Sequence, residues 1–301
     1  MTDRQRLNSE TLPDRPFAVV LGTAQDAGYP QAGCRSACCT VAWEDPARRV
    51  RPVCLGLVDQ AGRRYMIDCT PEFPEQLRHL DRLAPPSKPG LDLSGVLLTH
   101  AHVGHYTGLM HLGREAADAR GVPLHVMPRM SQFLSSAGPW SQLVEFENVE
   151  LRPLHDQTPV ELSEDLTVVP FLVPHRDELS ETVGFRIEGP SRTLIWLPDI
   201  DKWDRWTTAI EEVIATSDVA YLDATFFAEG EIPGRPMAEI PHPFVAETIE
   251  RLATLPAEER AKVRFVHLNH TNPALDPSGQ AAQTVRGAGH HVARQGELQA
   301  L

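Results

Sequence analysis

Residues 97–109 read Leu97-Leu98-Thr99-His100-Ala101-His102-Val103-Gly104-His105-Tyr106-Thr107-Gly108-Leu109, an apolar strand end followed at once by three of the chain's 13 histidines. Packing alone seldom gathers imidazoles so densely. His100 and His102 are two apart in an extended segment, so both side chains leave one face, and His105 follows on the first turn of the next element. Three rings so placed can converge on one or two cations. A lone histidine would more often be a satisfied core or surface residue; the density is what favours metal.

Outward from this segment, short runs rich in Val, Ile and Leu recur at 17–21, 54–58, 65–67, 95–98, 166–173, 193–197, 219–222 and 263–268, each closed by polar, Gly or Pro residues. This pattern predicts strands. Helical spacing over 71–83, 107–119, 201–215 and 243–255 places helices between several of them, which favours two layered sheets flanked by helices. The Pro- and Gly-containing breaks at 84–90 and 229–236 read as loops, and neither separates halves of different character. A single domain over 17–301 is expected, behind a flexible N-terminal segment at 1–16.

With 301 residues, 42% of them hydrophobic and 23% charged, the chain can bury a sizeable core, which excludes disorder as its main state. The 28 Lys and Arg against 41 Asp and Glu give a formal net charge of −13, so no nucleic-acid coating is expected. The N-terminal residues are polar and no run approaches the ~18 apolar residues of a membrane span, so a cytoplasmic protein without membrane contact is expected. Cys34, Cys38 and Cys39 crowd together among five cysteines in all, and adjacent Cys38 and Cys39 make a poor disulfide framework. In a reducing compartment such crowding points to metal. Serine-nucleophile elbows, Walker loops and dinucleotide fingerprints do not occur, which leaves those chemistries without support.

The histidine segment resembles the signature of the metallo-β-lactamase-fold hydrolases, His-x-His-x-Asp-His after a strand of the first sheet. Further landmarks follow in that superfamily's order: Asp68 in Met66-Ile67-Asp68-Cys69, His175 after Val173-Pro174, Asp199 in Leu197-Pro198-Asp199, and His267 after Phe265-Val266. Within the superfamily the chain resembles in particular the protein B family of pyrroloquinoline quinone biosynthesis, the PqqB-like family. That likeness is carried by Leu21-Gly22-Thr23-Ala24-Gln25-Asp26-Ala27-Gly28, the cysteine cluster, Asp223-Ala224-Thr225-Phe226 and His267-Leu268-Asn269-His270-Thr271-Asn272-Pro273. The cyclic phosphodiesterases of phosphonate breakdown share the layout. The resemblance implies an α/β fold, a four-layer αββα sandwich, with one or two active-site Zn2+ ions, Mn2+ or Fe2+ being alternatives. It also implies that one metal takes His100, His102, His175 and an oxygen of Asp199, and the other His105, Asp199 and His267. For Asp199 alone, the rival reading is an N-cap of a helix over 202–215.

Where the superfamily places Asp, this chain has Gly104. Asp26, in the loop after the first strand, is a candidate to fill the gap; the rivals are a turn residue beside Gly28 and a mononuclear centre. The resemblance further implies one structural Zn2+ on Cys34, Cys38, Cys39 and His270, with Cys38 standing in for a cysteine at the Ser36 position. Such a closed site clips the N-terminal loop to the last strand; the competing reading is a redox or persulfide-handling thiol pair. His242 matches a histidine that assists leaving-group protonation, for which a pKa near neutral would suit, and a surface-loop histidine is its rival. Asp223 and Asp68 are expected to orient ligand histidines.

The reaction expected first is hydrolysis of a small anionic phosphodiester or cyclic phosphodiester, with Asp199 and His242 in catalytic roles. Carboxylic-ester or lactone hydrolysis would use the same donors. An iron-dependent oxidase or hydroxylase of quinone-cofactor biosynthesis is the alternative from another class, and a non-catalytic binding protein is a third. A homodimer is left open.

Overall fold

The central strands are apolar at most positions because the sheets are covered there on both faces, a pattern of continuous runs that simple in–out alternation would not produce. The computed structural model describes residues 15–232, 234, 236–237 and 240–301; of the segment expected to be flexible, residues 1–14 lie outside the described residues. The first sheet comprises β1 (Phe17–Gly22), β2 (Cys54–Val58), β3 (Arg64–Ile67), β4 (Gly95–Leu97), β5 (Val122–Val126), β6 (Val149–Pro153) and β14 (Leu298–Ala300). The second comprises β7 (Val160–Ser163), β8 (Leu166–Leu172), β9 (Val183–Glu188), β10 (Thr193–Leu197), β11 (Val219–Asp223), β12 (Val263–Val266) and β13 (His291–Val292). Their orders are β14-β1-β2-β3-β4-β5-β6 and β13-β12-β11-β10-β9-β8-β7.

The period of two along each strand builds the layers. In β1, Phe17, Val19 and Leu21 join Phe73 and Leu80 of the helix Phe73–Leu83 in an outer core, whereas Ala18 and Val20 face the other sheet. In β10, Ile195 and Leu197 join Ile210, Ile214, Val245 and Leu252 from the helices Ile210–Ala215 and Val245–Leu252. Leu194 and Trp196 point the other way, into a shared layer with Leu55, Leu57, Tyr65, Ile67, Phe185 and Tyr221. The result is helix, sheet, sheet, helix.

Pairing is parallel from β3 to β6 and from β10 to β13, and antiparallel elsewhere. Consequently β1, β3 and β4 run one way within the first sheet, and β8, β10, β11 and β12 one way within the second. The segments that leave their carboxyl ends carry Asp26, Asp68, His100, His175, Asp199, Asp223 and His267, the edge where open α/β sheets place ligands.

Two expected helices are corrected. Over 107–119 only a 3-10 turn, Thr107–Leu112, forms, because Gly108 N donates to Cys69 O at 2.9 Å instead of continuing a helical ladder. Over 201–215 the chain makes a 3-10 turn at Trp203–Arg205 and a helix only from Ile210. Asp199 is therefore no helix N-cap, since that helix is capped by Ala209.

Candidate metal centre

The strand ends bring together the side chains that the sequence scatters over more than half the chain. His100, His102, His175 and Asp199 form one group that could hold a metal ion; Asp26, His105 and His267 form a second, and Asp199, Asp223, His242 and His267 a third. Asp199 lies between them. Its Oδ2 is 3.3 Å from His100 Nε2, 3.8 Å from His105 Nε2 and 3.7 Å from His267 Nε2, while its Oδ1 is 3.2 Å from both His175 Nε2 and His242 Nδ1. Asp26 Oδ1 is 3.2 Å from His105 Nε2 and 3.9 Å from His267 Nε2.

Polar groups behind the rings fix which nitrogen faces inward. His105 Nδ1 donates to Asp68 Oδ2 at 2.7 Å, and Thr99 N and Oγ1 both donate to Asp68 Oδ1 at 2.9 Å. With its own proton so committed, Thr99 Oγ1 accepts from His100 Nδ1 at 3.0 Å. The second sheet repeats the device: Thr225 Oγ1 donates to Asp223 Oδ1 at 2.7 Å and accepts from His267 Nδ1 at 2.8 Å. These partners leave the Nε2 atoms of His100, His105 and His267 directed at the centre. Asp68 and His267 adopt left-handed φ values of 68° and 65° directly after β3 and β12, local strain of the sort held at functional sites.

The inward atoms lack hydrogen bonds. Asp26 Oδ1, His100 Nε2, His105 Nε2, His175 Nε2, Asp199 Oδ1 and His267 Nε2 are buried without a hydrogen bond, which is costly unless a cation occupies the space among them. A tetrahedral ion with bonds of 2.0–2.2 Å separates its ligands by about 3.3–3.6 Å. The spacings around Asp199 and Asp26, 3.2 to 3.9 Å, bracket that range.

Electrostatics agree with the donor set. Burial pushes the His100 pKa well below its ordinary value and the His175 pKa down to about 4, so both rings are neutral and ready to donate. Burial works against ionised Asp199 and Asp26, yet the surrounding histidines hold both carboxyls well below the usual range. At His242 burial pulls the other way, but Asp223 and Asp199 raise the pKa to about 10. That corrects the expectation of a near-neutral His242: its Nδ1 donates to Asp223 Oδ2 at 2.8 Å, and it is buried, not a surface-loop histidine.

The cysteine cluster is also assembled. Cys34 Sγ lies 3.8 Å from Cys38 Sγ, and His270 Nδ1 lies 3.7 Å from Cys38 Sγ and 3.3 Å from Cys39 Sγ. Zinc–sulfur bonds near 2.3 Å imply sulfur separations of about 3.8 Å in a tetrahedron. Burial pushes the Cys39 thiol up to about 12, so it becomes a thiolate only if a metal replaces its proton.

Among the described residues, His79, His111, His125, His155, His290 and His291 join none of these groups. Sequence alone singles out neither Thr99 as an orienting group nor Arg176, whose Nη2 lies 3.3 Å from His102 Nε2. Their only linear signal is position, one residue ahead of His100 and one after His175.

Residues 63–268 match the family described as the β-lactamase superfamily domain. Coenzyme PQQ synthesis protein B of Methylobacterium nodulans is 28% identical over 306 residues, covering 93% of this chain and 98% of the relative. The protein of the same name from Xanthomonas euvesicatoria is 26% identical over 305 residues, covering 92% and 97%. Among solved structures, Zn(2+)-bound PqqB from Methylobacterium extorquens superposes with a TM-score of 0.81 at 23% identity, covering 95% of this chain and 100% of that one. A diphosphatase of the PhnP family gives a TM-score of 0.66 at 22% identity, covering 94% and 96%. At such identities the structural likeness establishes a shared fold. The chain belongs to the β-lactamase superfamily domain family, has the metallo-β-lactamase fold, and is PqqB-like.

Proposed function

We propose that this chain is a metal-dependent hydrolase acting on a small anionic ester, with a phosphodiester or cyclic phosphodiester as the substrate class. The observation that carries this reading is the set of buried, unpartnered nitrogens and oxygens that face one another across Asp199. These residues would hold a divalent ion, which would lower the pKa of a bound water to near neutral and supply Lewis acidity to a substrate oxygen.

The chain's own residues do the rest. Asp68, Thr99, Asp223 and Thr225 keep the ligand rings oriented. Beside His102 lies a cavity of about 230 Å³ lined by Ala101, His102, Arg176, Glu178, Leu179 and Ser180, a size suited to a small molecule. Arg176 supplies its wall with a forked set of N–H donors that match a phosphate or carboxylate. His242, held as an imidazolium by Asp223 and Asp199, keeps a proton on Nε2 for the leaving oxygen.

The curated relatives, matched over nearly their whole length, favour a second reading. Their name places them in coenzyme PQQ synthesis, and here the centre would hold iron and oxidise or hydroxylate a quinone-cofactor precursor. Anaerobic purification with metal analysis, followed by assays on a diester of p-nitrophenol, a cyclic nucleotide, a lactone and oxygen uptake, separates the two. The hydrolase reading expects phosphodiester turnover that falls more than about 100-fold in a folded His102→Ala variant. Bound iron with oxygen uptake, or a metal-replete protein inert toward every ester, would overturn it.

A further inference from the structure

The element that carries His105 has no carboxylate at Gly104, and the vacant volume is taken by another part of the chain. A Cβ on Gly104 would stand 2.2 Å from Asp26 Cα and 2.3 Å from Asp26 Oδ1. A side chain at 104 and the present path of the Asp26 loop therefore exclude each other. Asp26 Oδ1 is itself buried, unpartnered and 3.2 Å from His105 Nε2.

This loop is anchored on both sides of Asp26. Ahead of it, Gln25 N donates to Leu268 O and Leu268 N to Thr23 O, each at 2.9 Å. Behind it, Tyr29 Oη donates to Cys38 O at 2.6 Å and Gln31 N to Cys39 Sγ at 3.4 Å. Ala24, Tyr29, Cys39 and Ala42 share one small core. The cysteine cluster is closed by His270, three residues beyond His267. Two segments thus serve both metal sites: one carries Asp26 and the three cysteines, the other His267 and His270.

We propose that Asp26 is the carboxylate ligand of the second active-site ion, and that a metal ion in the Cys34, Cys38, Cys39 and His270 clip holds Asp26 in position, so that affinity at the second site depends on occupancy of the clip. The proposal rests on the metal-centre reading given above. Its physical basis is entropy: with the clip empty, Tyr29 keeps its backbone pairing with Val50, 2.8 Å in each direction, but the Cys38 and Cys39 groups that hold its hydroxyl and Gln31 N are no longer fixed by a shared ion, and binding must order Asp26 more fully before it can use it. The first site, made by His100, His102, His175 and Asp199, takes no donor from this loop and does not share the dependence.

Zinc per chain, measured by mass spectrometry beside thermal unfolding, tests both halves. Asp26→Asn and Gly104→Ala are each expected to fold and to carry one ion fewer than the wild type, with second-site affinity lowered about 10- to 100-fold. Cys39→Ser is expected to carry two fewer, losing the clip ion and the second active-site ion together. If Cys39→Ser does not fold, His270→Gln is read in the same way. Full zinc content in Asp26→Asn or in Gly104→Ala overturns the ligand assignment, and loss of only one ion on breaking the clip overturns the coupling. A zinc content that His102→Ala leaves unchanged would instead refute the metal-centre reading beneath it.

Discussion

His105 is pulled between two carboxylates. Its Nδ1 donates to Asp68 and its Nε2 faces Asp26; burial alone would lower its pKa, but Asp68 and then Asp26 raise it well above the ordinary histidine value. Linkage fixes the sign of the pH effect. In the metal-free protein the charged ring's stabilisation is fully present below the unfolded-state pKa, about 6.5, and is lost only as pH rises through the raised folded value. Zinc at Nε2 must displace that proton, whereas His100 and His175, lowered by burial, have none to lose near neutral pH. With the cysteine clip already loaded, second-site affinity is expected to rise about tenfold per pH unit between roughly pH 6 and 8, and first-site affinity much less. Calorimetric titrations across that range check it; a pH-independent second site would contradict the protonated His105.

At the scale of elements, the strands buried on both faces were legible because short, continuous Val, Ile and Leu runs closed by turn residues suit an extended segment covered on both sides, and β1, β2, β10, β11 and β12 all fall where those runs predict. The edge strands were not. Val-Glu-Leu-Arg-Pro in β6 and Val-Glu-Leu-Ser in β7 expose part of one face and lack such a run, and the helices Ala37–Glu44, Pro128–Ser136 and Gln280–Gly287 are short segments that owe their stability to packing more than to pattern. The inter-sheet layer carries the strand ends, and Trp196 is fully buried in it with its ring 5.3 Å from that of Tyr221. Trp196→Ala is expected to cost about 3–5 kcal/mol of unfolding free energy, read from denaturant melts; a loss under about 1 kcal/mol would mean that the two sheets do not depend on this layer.

Taken whole, the molecule divides the centre between its halves. The segment after β4 supplies His100, His102 and His105, while the segments after β8, β10 and β12 supply His175, Asp199 and His267. The identity and order of these residues were legible in the chain through its family resemblance. Their convergence was not, because it depends on strand order and on which way each strand runs, and Asp26 meeting the backbone at Gly104 is visible only in three dimensions. Asp68, Asp199 and Asp223 are also brought into one buried region, where their charge needs cationic partners. The most direct measurement is anomalous diffraction at the zinc absorption edge from crystals grown with zinc. Two peaks about 3.5–4 Å apart, flanking Asp199, with a third among Cys34, Cys38, Cys39 and His270, are the expected result; density with no anomalous scatterer between His100, His175 and Asp199 would contradict the metal centre outright.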